Sequence, residues 1–237
     1  MDQLKENLQS ASFKALLGVL PPYNVEDIKQ AYWRRVKKLH PDHGGDVEDF
    51  RALQEAYERA KLYVDFHGDK RAWIAKHVLK YKAHEKLLAT LKEFKAEATT
   101  ETVAWMQKSV GDFAELTRSI VAVSLTDSQQ GDALIEVLTR EHESLRQLTK
   151  LTLAGCKLAN ASVLQLSVFK NLQRLDLSRS RVSNEAMLIT DKLPMLVSLK
   201  LNGTAVGWWT RRKVQKQLRR NAKHPQFAVL QTKNALS

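Results

Sequence analysis

Residues 24–57 read "NVEDIKQAYWRRVKKLHPDHGGDVEDFRALQEAY". Asn24 is a strong N-cap, and Asp27 three residues later gives a capping-box-like arrangement. Ile28, Ala31, Tyr32, Val36 and Leu39 recur at helical spacing on one face, while Lys29, Arg34, Lys37 and Lys38 populate the other side. Pro41 ends this helix, because proline disfavours helical geometry at the residue before it. Asp46 and Asp49 repeat the cap, and Phe50, Leu53, Ala56, Tyr57 and Ala60 form a second apolar stripe. Two amphipathic helices joined by a short loop become antiparallel neighbours, so the stripes face each other. Gly44 and Gly45 are expected to supply the unusual backbone angles of the turn. The turn itself requires neither His40 nor Asp42. Beside a row of Lys and Arg they suggest a recognition surface in two parts, a positive stripe that steers and a point contact that locks.

Upstream, "ASFKALLGVLPPY" (11–23) is a short apolar turn that would pack across the hairpin as a third helix. The ordered set "LLGV", "EDIKQAYWRRVKKLHPD" and "FRALQEAY" resembles the J domain of the DnaJ co-chaperone family over roughly residues 10 to 64. The resemblance implies that His40, Pro41 and Asp42 contact a seventy-kilodalton heat-shock chaperone and promote its ATP hydrolysis. It also implies that the basic helix, with Lys29, Arg34, Lys37 and Lys38, docks on an acidic surface of that partner. Two positions depart from the pattern. Lys14 stands where an aromatic is usual, with Phe13 adjacent, and Arg35 stands on the buried side where a leucine is usual. The short "HPDHGGD" loop resembles compact forms of the domain, including those of the mitochondrial import motor. The family's zinc-binding cysteine repeats and Gly/Phe-rich linker have no counterpart here.

Composition bounds the rest. The chain has 237 residues, 43% of them hydrophobic, enough for one large domain or two small ones. Lys and Arg number 38 against 26 Asp and Glu, a net charge of +12 with a pI near 9.7. Such an excess fits an acidic partner: a protein surface, nucleic acid or an anionic membrane. Cys156 is the single cysteine, so neither an internal disulfide nor a multi-cysteine zinc cluster can form. No apolar run is long enough to span a membrane, and the N-terminus has neither signal-peptide nor transit-peptide character.

Residues 69–98 read as one long helix, with Ile74, Val78, Tyr81, Leu88, Leu91 and Phe94 on one face and lysines elsewhere. His77 and His84 lack acidic or cysteine partners in the sequence and read as surface residues. Residues 99–118 read as a second helix with Val103, Trp105, Met106, Val110, Phe113 and Leu116 apolar.

Further on the chain repeats itself every 24 residues. Leu148, Leu172 and Leu196 correspond, as do Leu151, Leu175 and Leu199, then Leu153, Leu177 and Leu201. A small polar position holds Cys156, Ser180 and Thr204, and Leu158, Val182 and Val206 close the units. "IVAVSLTDS" (120–128) reads as a degenerate first unit. The pattern resembles the leucine-rich repeat, which implies short strands with leucines inward and helices such as "SNEAMLITDKL" (183–193) on the convex side. Lys150, Thr152, Arg174, Asp176, Ser198 and Lys200 would then line a concave, protein-binding face. Cys156 reads as a repeat position rather than a nucleophile. Trp208 and Trp209 are expected to cover the last repeat. Arg211, Arg212, Lys213, Lys216, Arg219, Arg220 and Lys223 make a basic tail helix, either a phosphate or RNA contact or a solvated cap.

The expected fold is mixed: an all-α J-domain hairpin (1–65), a helical connector (66–118), a small α/β leucine-rich-repeat arc (119–207) and a basic cap helix with its tail (208–237). The expected function is a J-domain co-chaperone that brings an ATP-driven chaperone to a client chosen by the repeats. The alternative is a structural subunit or assembly factor of a large complex, such as a mitochondrial ribonucleoprotein. No enzyme activity, cofactor or metal is expected. The basic pI and compact loop favour the mitochondrial matrix over the cytosol.

Overall fold

A computed structural model describes residues 13–20, 22–40, 45–102 and 111–222. Pro41, Asp42, Gly44, Lys223 and the expected helical positions Val103, Trp105, Met106 and Val110 lie outside the described residues. Two compact units divide the chain, one built mainly of residues up to His77 and the other mainly of residues from Val78 onward.

The first unit is helical: α1 (Phe13–Leu17), α2 (Val25–Leu39) and α3 (Val47–Gly68). The capping box forms, with Asn24 Oδ1 accepting the Glu26 and Asp27 N–H groups at 2.8 and 3.0 Å. The Asp27 carboxylate accepts the Asn24 N–H at 2.9 Å in return. The Asp46 carboxylate accepts the Asp49 N–H at 3.1 Å, which starts α3. Leu17, Val19, Ile28, Ala31, Leu53, Ala56 and Ala60 are buried between the helices, and Tyr32 stacks on Tyr57 at 4.4 Å.

Both sequence departures resolve locally. Phe13 packs on Tyr23 and Tyr63, while the Lys14 ammonium lies 5.9 Å over the Tyr63 ring. Arg35 is not buried as expected. It is exposed, and its guanidinium lies beside Gly18. Gly45 also departs from the expectation. Gly45 has no left-handed φ; it donates its N–H to the His40 carbonyl at 3.1 Å. A Cβ there would fall well under 3 Å from the Leu39 backbone, so the glycine permits close approach rather than an unusual angle.

Asp69 restarts the chain, accepting the Ala72 N–H at 2.9 Å ahead of α4 (Lys70–Glu93). At the start of α4, Trp73 is buried edge-on to Phe66 and stacked on His77. His77 and His84 are half-buried rather than surface residues; they bond to the carbonyls of Trp73 and Ser144, both at 2.8 Å. The helix ends earlier than the sequence suggests. Lys95 adopts a left-handed φ of 57°, Ala96 N–H bonds to Leu91 O, and Lys95 N–H bonds to Lys92 O. That is a Schellman end with lysine in the place usually held by glycine.

The chain then enters a strand, not the second helix expected over 99–118. The second unit holds a mixed five-stranded sheet in the order β1 (Glu97–Glu101), β2 (Ser119–Ser124), β3 (Lys150–Thr152), β4 (Arg174–Asp176) and β5 (Ser198–Lys200). β1 pairs antiparallel with β2, and the remaining pairs are parallel. Residues 111–117 form a 3-10 helix.

The 24-residue period is the register of the parallel strands: Lys150 pairs with Arg174 and Arg174 with Ser198. The first step is four residues longer, because Ala122 pairs with Lys150. Its connection is α5 (Gly131–Arg140), whereas the next is the shorter α6 (Asn160–Gln165) with a 3-10 turn. The last connection, over Asn184–Lys192, is entirely 3-10.

One continuous core runs through these units. Leu148, Leu172 and Leu196 are all fully buried, as are Leu153 and Leu177. The core also takes Leu87 and Leu91 from α4 and Val214 and Leu218 from α7 (Trp208–Ala222). Ser180 and Thr204 each bond back three residues through the hydroxyl, to Leu177 O at 2.6 Å and Leu201 O at 2.7 Å. These bonds occupy carbonyls at the turn that leaves each strand.

Two further periodic features link one unit to the next. Asp132, Asn160 and Asn184 occupy equivalent positions, and each accepts a backbone N–H of the following unit, from Ala159, Ser183 and Gly207 at 2.9, 3.0 and 2.8 Å. Asp127, Gly155, Arg179 and Gly203 also correspond, and all four have left-handed φ. Arg179 reaches the Asp127 carboxylate at 3.1 Å.

Candidate protein-docking surfaces

The hairpin of the first unit presents the basic side of α2 outward. Lys29, Arg34, Lys37 and Lys38 are all exposed. Glu26 and Asp27 in the first turn and Lys37 and Lys38 in the last both suit the helix dipole, so the charge pattern also supports the helix itself. Lys29 has Glu26 at 3.8 Å, an exposed pair that leaves its charge accessible. His40 follows as the C-cap: its N–H bonds to Val36 O at 2.9 Å, its backbone turns extended, and its ring packs edge-on to Phe50 at 5.1 Å. The ring is therefore held at the end of the basic face. Sequence reading passed over Trp33, which belongs to neither the apolar stripe nor the charge set. It is 55% exposed and lies between Lys29 and Lys37 at successive spacings of four. An exposed indole inside a charged row is the signal that could have found it.

The outward face of the sheet is organised by register. Lys150, Arg174 and Ser198 form one row, and Thr152, Asp176 and Lys200 the next. Ala122 and Ser124 on β2, with Thr99 and Glu97 on β1, extend both rows. Lys200 Nζ lies 3.5 Å from Asp176. Burial would raise the Asp176 pKa. Hydrogen bonds from the Ser178 N–H and hydroxyl, together with the Lys200 charge, outweigh it, and the carboxyl is held below its ordinary value. The face is polar and mixed in charge, with cations in the majority.

On α7 the structure separates residues that the sequence grouped. Arg211 does not face solvent for a phosphate contact. Its guanidinium donates to Val206 O at 2.9 Å, to Thr204 O at 3.3 Å and to Thr204 Oγ1 at 3.1 Å, tying the helix to the last unit. Arg212, Lys213, Lys216, Arg219 and Arg220 remain on the outside. Trp208 and Trp209 do not cover the last repeat: they are 59% and 77% exposed. The cover is supplied by Val214, Leu218 and Asn221, whose amide donates to Leu193 O and Leu196 O at 3.2 and 2.8 Å.

Cys156 is buried, and its thiol donates to Leu125 O at 3.3 Å. Burial pushes the thiol pKa up, against a backbone contact from Ser128 and with the Asp127 charge adding to the rise. It stays protonated at neutral pH and packs as a small apolar side chain. Among the described residues no group of three or more His, Cys, Asp or Glu is placed to hold a metal ion. No described helix is long and apolar enough to cross a membrane.

Comparison with known proteins identifies the first unit. The DnaJ domain family matches residues 13–59. "Chaperone protein dnaJ 3" of Arabidopsis thaliana is 45% identical over 49 residues, which is 21% of this chain and 12% of that protein. "Chaperone protein DnaJ 1" of Cutibacterium acnes is 43% identical over 51 residues, 21% of this chain and 13% of that protein. The chain thus spans about an eighth of the length of the curated relatives it matches. No solved structure matches the chain.

Proposed function

With a DnaJ domain at residues 13–59, we propose that the protein is a J-domain co-chaperone. It binds a seventy-kilodalton heat-shock chaperone and stimulates that partner's ATP hydrolysis at a client or complex selected by the second unit. The observation that carries the reading is the placement of His40. It caps α2 at the end of an exposed row of cations and opens a His-Pro-Asp in which the proline ends the helix and the turn requires neither the histidine nor the aspartate. Lys29, Arg34, Lys37 and Lys38 steer the hairpin onto an acidic surface. His40, Pro41 and Asp42 make the contact that promotes hydrolysis. The J domain breaks no bond itself; binding one state of the partner more tightly shifts the partner toward that state.

We further propose that the repeats are leucine-rich repeats and that Lys150, Thr152, Arg174, Asp176, Ser198 and Lys200 bind the client. The reading is supported by the 24-residue strand register, the stacked leucines and the contiguous polar rows on the outward face. The mitochondrial matrix suits the basic pI and the short loop better than the cytosol does. A second reading, a structural or assembly subunit of a large ribonucleoprotein, draws on the exposed cations of α7.

Differential binding is the direct test. The affinity of the full chain for the chaperone is measured by interferometry with ATP and with ADP bound. The co-chaperone reading expects at least a several-fold preference for one nucleotide state. Equal affinity, or no binding, removes its basis, since a ligand that binds both states equally shifts nothing.

A further inference from the structure

We propose that the outer face of α7, formed by Arg212, Lys216, Arg219 and Arg220 with Trp208 and Trp209 at its N-terminal end, is a docking surface for single-stranded RNA. The proposal does not rest on the co-chaperone reading. Its basis is the division of labour along α7. The helix carries six Arg and Lys residues and no Asp or Glu, and only Arg211 has its guanidinium tied into the fold. Arg212, Lys216, Arg219 and Arg220 follow one another at spacings of four, three and one, and line a single shallow groove. Their charges add along one direction, as a phosphate backbone requires.

The indoles supply the second element. Trp208 and Trp209 meet edge to face at 4.5 Å and stay 59% and 77% exposed, although the core beside them is closed by other residues. The Arg212 guanidinium sits 5.5 Å over the Trp208 ring. Exposed rings next to a cationic groove can stack bases while phosphates follow the charges. Gln215 also lines the groove and is its one side chain with an acceptor, which can take a hydrogen bond from the ribose 2′-hydroxyl that DNA lacks.

Two other acidic partners fit less well. An anionic bilayer takes up a helix by its apolar face, but Val214 and Leu218 are already buried in the core. The centre of a protein interface is depleted of charged residues, whereas this groove is lined by four cations with no carboxylate among them.

The test uses the full chain and a labelled mixed-sequence RNA dodecamer, read by anisotropy. Four phosphate contacts predict a log–log salt slope of about −3, or roughly fiftyfold weaker binding at 200 mM than at 50 mM salt. The double variant Trp208→Ala/Trp209→Ala is expected to lose roughly ten- to hundredfold in affinity, and Arg212→Gln/Arg219→Gln to weaken binding and flatten the slope. The charge-matched control Lys82→Gln/Lys86→Gln, on α4, is expected to bind as the parent does. Parallel arms use DNA of the same sequence, phosphatidylserine vesicles and polyglutamate. The proposal is overturned if RNA does not bind at 50 mM salt, or if the α7 variants bind like the parent. It is equally overturned if vesicles, polyglutamate or DNA bind more tightly than RNA.

Discussion

Asn160 holds Ser183 by two hydrogen bonds: its carbonyl accepts the Ser183 N–H at 3.0 Å, and its amide donates to the Ser183 hydroxyl at 2.7 Å. Asp132 and Asn184 make the equivalent backbone contact one unit before and one unit after. These contacts fix the start of each connection against the next, while the leucines supply the non-directional burial. Asn160→Ala leaves a half-buried N–H unpaired and is expected to cost about 1–3 kcal/mol. Amide exchange at Ser183 reports it locally, rising roughly ten- to hundredfold. Asn160→Asp keeps the acceptor and is expected to protect that amide better than alanine does.

Gly155 and Gly203 share a backbone conformation but not a neighbour. A Cβ on Gly155 would run into the Asp127 carboxylate, whereas one on Gly203 would make ordinary contact with the Arg179 side chain and backbone, at 3.5 Å or more. Alanine at either position incurs the left-handed penalty of roughly 1–2 kcal/mol. Gly155→Ala adds a steric clash and disturbs the Asp127–Arg179 ion pair. Its loss in urea denaturation is therefore expected to exceed that of Gly203→Ala by about 1 kcal/mol or more. Equal losses would show that the turn relaxes freely around Asp127.

Arg211 and Arg212 are adjacent in sequence and opposite in role. Arg211→Ala removes three hydrogen bonds that hold α7 to Thr204 and Val206 and is expected to lower stability by about 1–3 kcal/mol. Arg212→Ala removes an exposed cation and is expected to stay within about 0.5 kcal/mol. Thermal unfolding of the two variants distinguishes a structural arginine from a surface one.

Asp176 makes the stability of the second unit depend on pH. Its folded pKa is lowered, so its contribution is present above the unfolded value of about 3.9 and fades as pH falls through the folded pKa. The parent is therefore expected to lose more stability than Asp176→Asn as pH drops below about 4, and the two curves to run parallel at neutral pH. Denaturant midpoints between pH 2 and 7 check this. A gap that stays constant over the range would assign the effect of the substitution to packing.

Trp33 tests the first unit's surface independently of charge. Trp33→Ala is expected to weaken chaperone binding several-fold or more through faster dissociation. Lys37→Gln should instead slow association and reduce its salt dependence. Stopped-flow rates for the two variants separate the effects.

Much of this architecture is legible in the chain because its signals are local. The Asn24 cap, the two facing stripes and the leucine period depend on neighbours within a few residues or on strict repetition. What escaped depends on partners far away or on a rule broken locally. Lys95 hides the end of α4 by taking a left-handed conformation without a glycine, so the lysine-rich helix reads on into β1. The Asp132, Asn160 and Asn184 contacts are polar, interrupted by the four-residue insertion, and masked by the louder leucine period. The tryptophans at 208 and 209 invite a place in the core. The space is closed instead by Val214, Leu218 and Asn221, one helical turn or more further on. At the candidate site the residue types were readable, but the split between Arg211 and its neighbours and the exposure of Trp33 required the packing.

The account turns on whether the J domain acts. Single-turnover ATP hydrolysis by a seventy-kilodalton heat-shock chaperone, measured with the intact protein and with His40→Gln, tests this directly. Acceleration by the parent, abolished by His40→Gln while the helical circular dichroism is kept, is the predicted result. Hydrolysis that the parent leaves at the chaperone's own rate would contradict it.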